Sequence, residues 1–537
     1  MPIKRVFAPR IDFSVLRREL KLPDAFPADA LAEAEAAAAT QPTAPQPNAL
    51  QPNAAQHAVN TTAGKAATGA IGQAAIGQAA TGQAATGQAA TGQAATGQAA
   101  TGATGAAVWS GRVDLTDVPF VTIDPPTSKD LDQAMCLERR GRGYRVRYAI
   151  ADVASFVRPG GALEAETWVR GQTVYLPDGK VPLHPPVLSE GAVSLLPDVV
   201  RAAVVWAIDL DADGAIESVS LRRALVRSRA KLDYAGVQAE VDAGTAGAPY
   251  ALLPELGRLL AERAAERGAV NLPLPEQEVE PDGDGWRLVL RAPPAVEEHN
   301  AQISLLTGMA AAGLMLTGGI GLLRTMPGPR PEAVERLRAA AHSLGVVWPE
   351  GASVGAVVGK VDPGEPRGAA FLDQAAELLR GAGYTAFDGS VPELRGHGGV
   401  GAPYAHVTAP LRRLADRYAT EACLALHDGR EVPAWVRDAL PRLPKAMAET
   451  DRVASAAGRG AIALAEAVLL AGRVGETFEA GVVDVDDRPK NGPGGTVALD
   501  DPAVVARCAG ELPLGERIRV RLAAADPATR KVEFERA

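Results

Sequence analysis

Thr122-Ile123-Asp124-Pro125-Pro126-Thr127-Ser128-Lys129-Asp130-Leu131-Asp132-Gln133-Ala134 places three carboxylates within nine residues, Asp124 to Asp132, around a proline pair. Pro125 and Pro126 lack N–H donors and push the chain before them towards extended geometry, so Asp124 is expected at a strand end, followed by a loop. Such a loop can fold Asp130 and Asp132 back towards Asp124. Carboxylates gathered that closely repel one another unless a cation lies between them, and hard oxygen donors suit Mg²⁺ or Mn²⁺. Metal-assisted phosphoryl chemistry is the functional reading; the plain alternative is a solvated Asp-rich turn. The flanks favour the former. Val118, Phe120, Thr122 and Ile123 form a β-branched and aromatic run leading in, and residues 144–153 alternate as a strand leading out.

Towards the N-terminus, residues 13–22 and 28–39 read as two short helices separated by Pro23 and Pro27, a short helical segment spanning 1–40. From Gln41 the composition changes. Pro42, Pro45, Pro47 and Pro52 lie among Gln, Asn and Ala, and glycine then recurs at 72, 77, 82, 87, 92, 97 and 102 within Thr-Gly-Gln-Ala-Ala units. Lys65 is the only Lys, Arg, Asp or Glu between Glu35 and Arg112, and no aromatic precedes Trp109 in that interval. Too little apolar surface is available there to offset chain entropy, so 41–107 is expected to be a disordered low-complexity linker. A five-residue period matches neither solenoid nor heptad.

Downstream, 204–210 and 216–221 read as strands joined by an Asp-Ala-Asp-Gly turn, and 234–242 as a helix. Residues 297–316 have the composition of a buried core helix, and 331–344 and 369–382 are amphipathic helices. A further helical stretch covers 446–470. Beyond 473 the period changes to short strands at 477–483, 495–499, 504–508, 517–522 and 531–535, separated by Gly, Pro and Asp turns, which suggests a small OB-like barrel. The fold class expected is α+β: a mixed catalytic region at 108–472 and a C-terminal OB-like β-barrel at 473–537.

Composition bounds the partners. Of 537 residues, 47% are hydrophobic, enough for a large core. Cys136, Cys423 and Cys508 lie far apart without C-x-x-C spacing, which fits a reducing, cytoplasmic setting and no zinc site. No uncharged apolar run is expected to reach about 18 residues, so no membrane span is expected. The net charge of −9 argues against a chain that coats nucleic acid non-specifically, but a local basic channel depends on where Lys and Arg cluster. Clusters occur at Arg139, Arg140 and Arg142, at Arg222 to Lys231, and at Arg412, Arg413 and Arg417.

The acidic stretch, with Ile150-Ala151-Asp152-Val153-Ala154 and Arg170-Gly171-Gln172-Thr173-Val174-Tyr175-Leu176-Pro177 after it, resembles the start of the catalytic RNB domain of the ribonuclease II family. Tyr404-Ala405-His406-Val407-Thr408-Ala409-Pro410-Leu411-Arg412-Arg413 is similar to that family's Thr-Ser-Pro-Ile-Arg-Arg segment. The resemblance runs over about 108–427 and rests on two ordered motifs. It implies that Asp124, Asp130, Asp132 and Gln133 hold Mg²⁺ or Mn²⁺, with Asp132 the central catalytic acid. It implies that Arg412 grips the scissile phosphate, that Tyr175 and Tyr234 stack on RNA bases, and that Thr408 and Arg413 contact RNA. Read without the resemblance, both tyrosines are core residues, Arg412 is a structural ion pair, and His406 is a satisfied buried histidine.

The chain departs from the family pattern in places. Gln133 stands where a fourth aspartate is usual, Ala409 where Ser is usual, Leu414 where Tyr is usual, and Thr420-Glu421 where His-Arg often follows. Nothing before 108 has the alternating strands of the cold-shock-like domains common in bacterial relatives. The resemblance implies a metal-dependent hydrolytic 3′→5′ exoribonuclease that degrades single-stranded RNA to 5′-mononucleotides. Its departures leave a second reading, an RNA-binding protein on the RNB fold whose catalytic centre is weakened.

Overall fold

The acidic stretch lies at the edge of a five-stranded sheet, which a computed structural model describes together with the rest of residues 11–40, 109–270, 272, 276–283, 285–291, 293–486, 492–499 and 501–537. The expected linker at 41–107 lies outside the described residues. Strand order is Val113–Leu115, Ile216–Arg227, Val200–Leu210, Gly143–Ala151, Gln133–Arg140. All neighbours are antiparallel except the first pair. Period-two alternation gives the sheet two unlike faces. Tyr148, Ile150, Val204, Trp206 and Ile208 face a large core with helices Ala295–Gly318 and Leu414–His427. Ala134, Ala149, Ala151, Ala203 and Ala224 face a second, small-residue core. Helix Ala28–Ala38 joins that core beside helix Ala162–Arg170 and the turn Val187–Ala192, with Ala34 fully buried.

The N-terminal helices are therefore docked on the catalytic region. Ser14–Glu19 is shorter than the expected 13–22, and Phe13, Leu16 and Leu22 join a core with helix Leu443–Leu470. Helices Tyr234–Asp242 and Pro331–Leu344 match their expected bounds, and Pro366–Ala376 starts at a proline in its first turn. Strands Ile320–Thr325 and Gly383–Asp388 pair with each other and were not expected, because each is a short run whose partner lies far along the chain.

Two helices revise the membrane expectation by composition. Ala295–Gly318 and Leu443–Arg473 are long and apolar enough to span a bilayer. Each buries a face inside the protein, through Ile303, Leu306 and Met315 in the first and Ala465, Ala467 and Leu470 in the second.

The C-terminal strands close into a five-stranded barrel in the order Thr477–Val485, Gly494–Leu499, Val505–Ala509, Lys531–Arg536, Arg517–Asp526. Phe478 and Phe534 meet edge to face inside it with ring centroids 5.9 Å apart, and both are core residues.

Candidate active site

Asp124 follows the two-residue strand Thr122–Ile123, and its main-chain N–H donates to the Leu232 carbonyl across a parallel pairing with Lys231–Leu232. Asp132 immediately precedes strand Gln133–Arg140, and its carbonyl accepts the Ala151 N–H at 2.9 Å. The loop between them returns as expected, held by Ser194, whose hydroxyl donates to the Lys129 carbonyl at 2.7 Å and accepts the Leu131 N–H at 3.0 Å.

The second motif reaches this loop from 275 residues and more away. The Leu411 N–H donates to Asp132 Oδ1 at 2.7 Å, and Arg412 Nε lies 3.3 Å from Asp132 Oδ2. Gln133 Nε2 donates to the Thr408 carbonyl. The motif's bend is set by Asp416, fully buried, which accepts the Ala409 N–H at 2.6 Å and two bonds from Arg413 at 3.0 Å. Gly308 lets the preceding residues lie close, since a Cβ there would stand 2.1 Å from the Tyr404 ring and 2.5 Å from the Ala405 carbonyl.

Of the residues singled out in the sequence, Asp124, Asp130, Asp132, Gln133, Thr408 and Arg412 converge. Arg412 is half exposed, its guanidinium open to solvent on one side. Arg413 instead turns inward to Asp416, so its charge is used within the protein. Thr408 is buried and meets the acidic loop through its carbonyl. Tyr175 has an exposed ring and donates its hydroxyl to Asp130 Oδ2 at 3.1 Å. Tyr234 is half buried, accepts a bond from Asn300 at 3.3 Å, and has its phenol pushed up to about 12 by burial and the nearby Asp124. His406 is partly buried and bonded to the Tyr384 hydroxyl at 2.7 Å, and desolvation and the nearby Arg413 push its imidazole well below the usual range. Gly396–His397 forms only a short bridge to Ala402–Pro403.

Lys180 was not singled out in the sequence, yet it lies 2.8 Å from Asp130 Oδ1 and 3.1 Å from Glu190. Its signal was the Asp178-Gly179 turn between apolar residues 174, 176 and 181, which makes a hairpin that sets Tyr175 directly opposite Lys180.

Electrostatically the acids are under-compensated. Burial pushes the Asp132 carboxyl up to about 8 against the opposing pull of Arg412 and the Leu411 N–H. Burial raises Asp124 to about 6, opposed by Arg412 and reinforced by Asp130. Asp124 Oδ2 is buried with no hydrogen-bond partner. A buried carboxylate oxygen with no donor is the atom a cation would satisfy, and the donor set is hard oxygen throughout, so these residues fit a divalent ion such as Mg²⁺. Among the described residues, no group of three His, Cys, Asp or Glu is gathered tightly enough to ligate a metal ion unaided.

An α+β domain in which an acidic loop meets a distant arginine motif, followed by a small five-stranded barrel, fits the RNB class of proteins. The chain matches the RNB domain over residues 112–425 and the RNase II-type exonuclease C-terminal S1 domain over 476–537, and it belongs to the RNB-domain family. It is 31% identical to Ribonuclease R of Escherichia coli over 331 residues, 57% of this chain and 39% of that protein. It is 28% identical to the human exosome complex exonuclease RRP44 over 323 residues, 57% of this chain and 33% of that protein. The chain thus spans about a third to two fifths of the length of these curated relatives. In structure it is similar to apo RNase R of Mycoplasma genitalium, with TM-score 0.71 and 20% identity, over 82% of this chain and 74% of the other. It is also similar to yeast Ssd1, described as a pseudonuclease, with TM-score 0.61 and 18% identity, over 79% of this chain and 53% of the other.

Proposed function

We propose that this protein is a hydrolytic exoribonuclease that degrades single-stranded RNA from the 3′ end to 5′-mononucleotides with the aid of Mg²⁺ or Mn²⁺. The observation that carries the reading is the meeting of Asp124 and Asp132 with Arg412, from two motifs far apart in the chain, at one place in an RNB domain. The relatives named Ribonuclease R and RRP44 support an exonuclease acting on RNA.

Asp124, Asp130 and Asp132 would hold the ion, which when bound supplies an activated water and neutralises charge on the phosphate. Arg412 presents a planar guanidinium to phosphate oxygens and stabilises the charge that builds on them during in-line attack. The Leu411 N–H and Arg412 fix the Asp132 carboxylate, so its orientation is set before substrate arrives. Tyr175, exposed and with its hydroxyl on Asp130, would stack on a base, and Tyr234 lies near Asp124. Three free, buried cysteines suit the cytoplasmic setting we propose.

One observation favours a second reading, an RNA-binding protein with a weakened centre. Gln133 donates its amide to the Thr408 carbonyl where the family pattern has an acid. A time course on 5′-labelled single-stranded RNA, with Mg²⁺ and then with a chelator, separates the two. A ladder shortening from the 3′ end, lost with chelator and in Asp132→Asn, supports the nuclease. Intact RNA that still shifts on a native gel supports the second reading.

A further inference from the structure

We propose that the N-terminal segment 11–22 is a working part of the catalytic centre, and that Arg17 is a positioning residue acting through Asp178 on the hairpin that presents Tyr175 and Lys180 to Asp130. The inference rests on the exonuclease reading.

Strands Val174–Leu176 and Gly179–Val181 form a two-stranded sheet that pairs with no other described strand. An isolated hairpin is marginal in water and depends on what its faces pack against. Alternation gives this one two faces with different tasks. Tyr175 and Lys180, opposite each other in register, turn to Asp130. Val174, Leu176 and Val181 turn the other way and share a core with Phe13, Leu16 and Leu22, backed by helix Leu443–Leu470.

The tip is clamped as well. Arg17 grips Asp178 with two parallel bonds, Nη1 to Oδ2 at 2.8 Å and Nη2 to Oδ1 at 2.7 Å, the planar pairing that constrains direction as well as distance. Two residues further along the same helix, Glu19 pairs with Arg530 of the C-terminal barrel at 2.8 Å. The segment therefore spans from the barrel to the hairpin tip. A hairpin packed on its far face and paired at its tip has less freedom to rock, which favours keeping the hydroxyl and ammonium on its near face at hydrogen-bond distance from Asp130. The clamp orients a group that would hold the metal without touching metal or RNA, as supporting shells do.

The test compares the full chain with Arg17→Ala, Asp178→Ala and the reversed pair Arg17→Asp with Asp178→Arg. Two quantities are read: amide hydrogen exchange of the peptide covering 172–182, and the Mg²⁺ concentration giving half-maximal degradation of single-stranded RNA. Each single variant is expected to exchange faster in that peptide and to need roughly threefold to tenfold more Mg²⁺. The reversed pair should recover part of both. Unchanged exchange and Mg²⁺ requirement in Arg17→Ala would overturn the inference, and so would a lower melting temperature with both quantities unmoved, which is the signature of a purely structural contact. If the wild-type chain fails to degrade RNA, the function reading fails separately; exchange together with Mn²⁺ affinity by calorimetry then decides the clamp by the same two outcomes.

Discussion

Asp132 and Asp152 flank the open end of one hairpin, formed by Gln133–Arg140 and Gly143–Ala151, and both are only 2% exposed. Their surroundings are opposite. Asp152 receives Arg112 Nη2 at 2.6 Å, Arg223 Nη1 at 2.5 Å on its other oxygen, and the Ser155 hydroxyl at 2.7 Å. Burial pushes its carboxyl up, but the two arginines outweigh burial and bring it down to about 2. Asp132 has one main-chain N–H and one half-exposed guanidinium, so burial wins and the carboxyl rises to about 8. Equal burial of the same residue type thus produces a structural ion pair in one place and a charge awaiting an outside partner in the other. The difference separates a residue that holds the fold from the one proposed to do chemistry.

Asp132→Asn should have the largest effect on function, lowering RNA degradation by roughly a thousandfold or more while leaving circular dichroism unchanged. Asp152→Ala should have the largest effect on stability. It leaves Arg112 buried without its counter-charge and Arg223 with Glu421 alone, and should cost about 3–5 kcal/mol in denaturant unfolding at neutral pH. A small change in the denaturation midpoint for Asp152→Ala would remove the contrast drawn above.

The same two sites should respond to pH with opposite sign, measured on metal-free protein. The folded-state value for Asp152 lies below its unfolded value, so its stabilisation is present above about pH 4 and is lost as pH falls towards 2. Asp132 is raised, so the folded state pays nothing below about pH 4 and is progressively penalised as pH climbs to about 8. Asp132→Asn should therefore be more stable than wild type above pH 8 and no more stable at pH 4, with melting temperatures across that range as the readout.

Smaller effects sharpen the picture around the active acid. Arg412→Lys keeps the charge but loses the planar two-point grip, and should lower kcat by about 10²-fold with little change in melting temperature. Gln133→Asp replaces a donor to the Thr408 carbonyl with a second acceptor, and should destabilise by about 1–3 kcal/mol in metal-free protein. Recovery of that stability on adding Mg²⁺ would show that position 133 can serve as a ligand.

Much of the local structure was legible in advance. The proline pair put Asp124 at a strand end, the Asp-Ala-Asp-Gly turn joined two long strands, and Gly, Pro and Asp punctuation marked all five barrel strands. The pair Ile320–Thr325 and Gly383–Asp388 is also bounded by Gly and Pro, but each strand's partner lies some 60 residues away, so no local signal joined them. Within the site, the acids and Arg412 stood out by residue type and motif. The use of Arg413 did not, since a guanidinium reads the same in sequence whether it faces phosphate or Asp416.

Sequence alone determined most of the helices and strands and which residue types could do phosphoryl chemistry, because period, turn chemistry and the hard-oxygen character of carboxylates are local properties. Only the tertiary structure decided which aspartate is neutralised and which is left under-compensated, that Gln133 ties the acidic loop to the second motif, and that residues 11–22 pack behind the Tyr175 hairpin. Those outcomes depend on burial and on charges brought together from hundreds of residues apart, and desolvation and pairing energies exist only once the chain has folded.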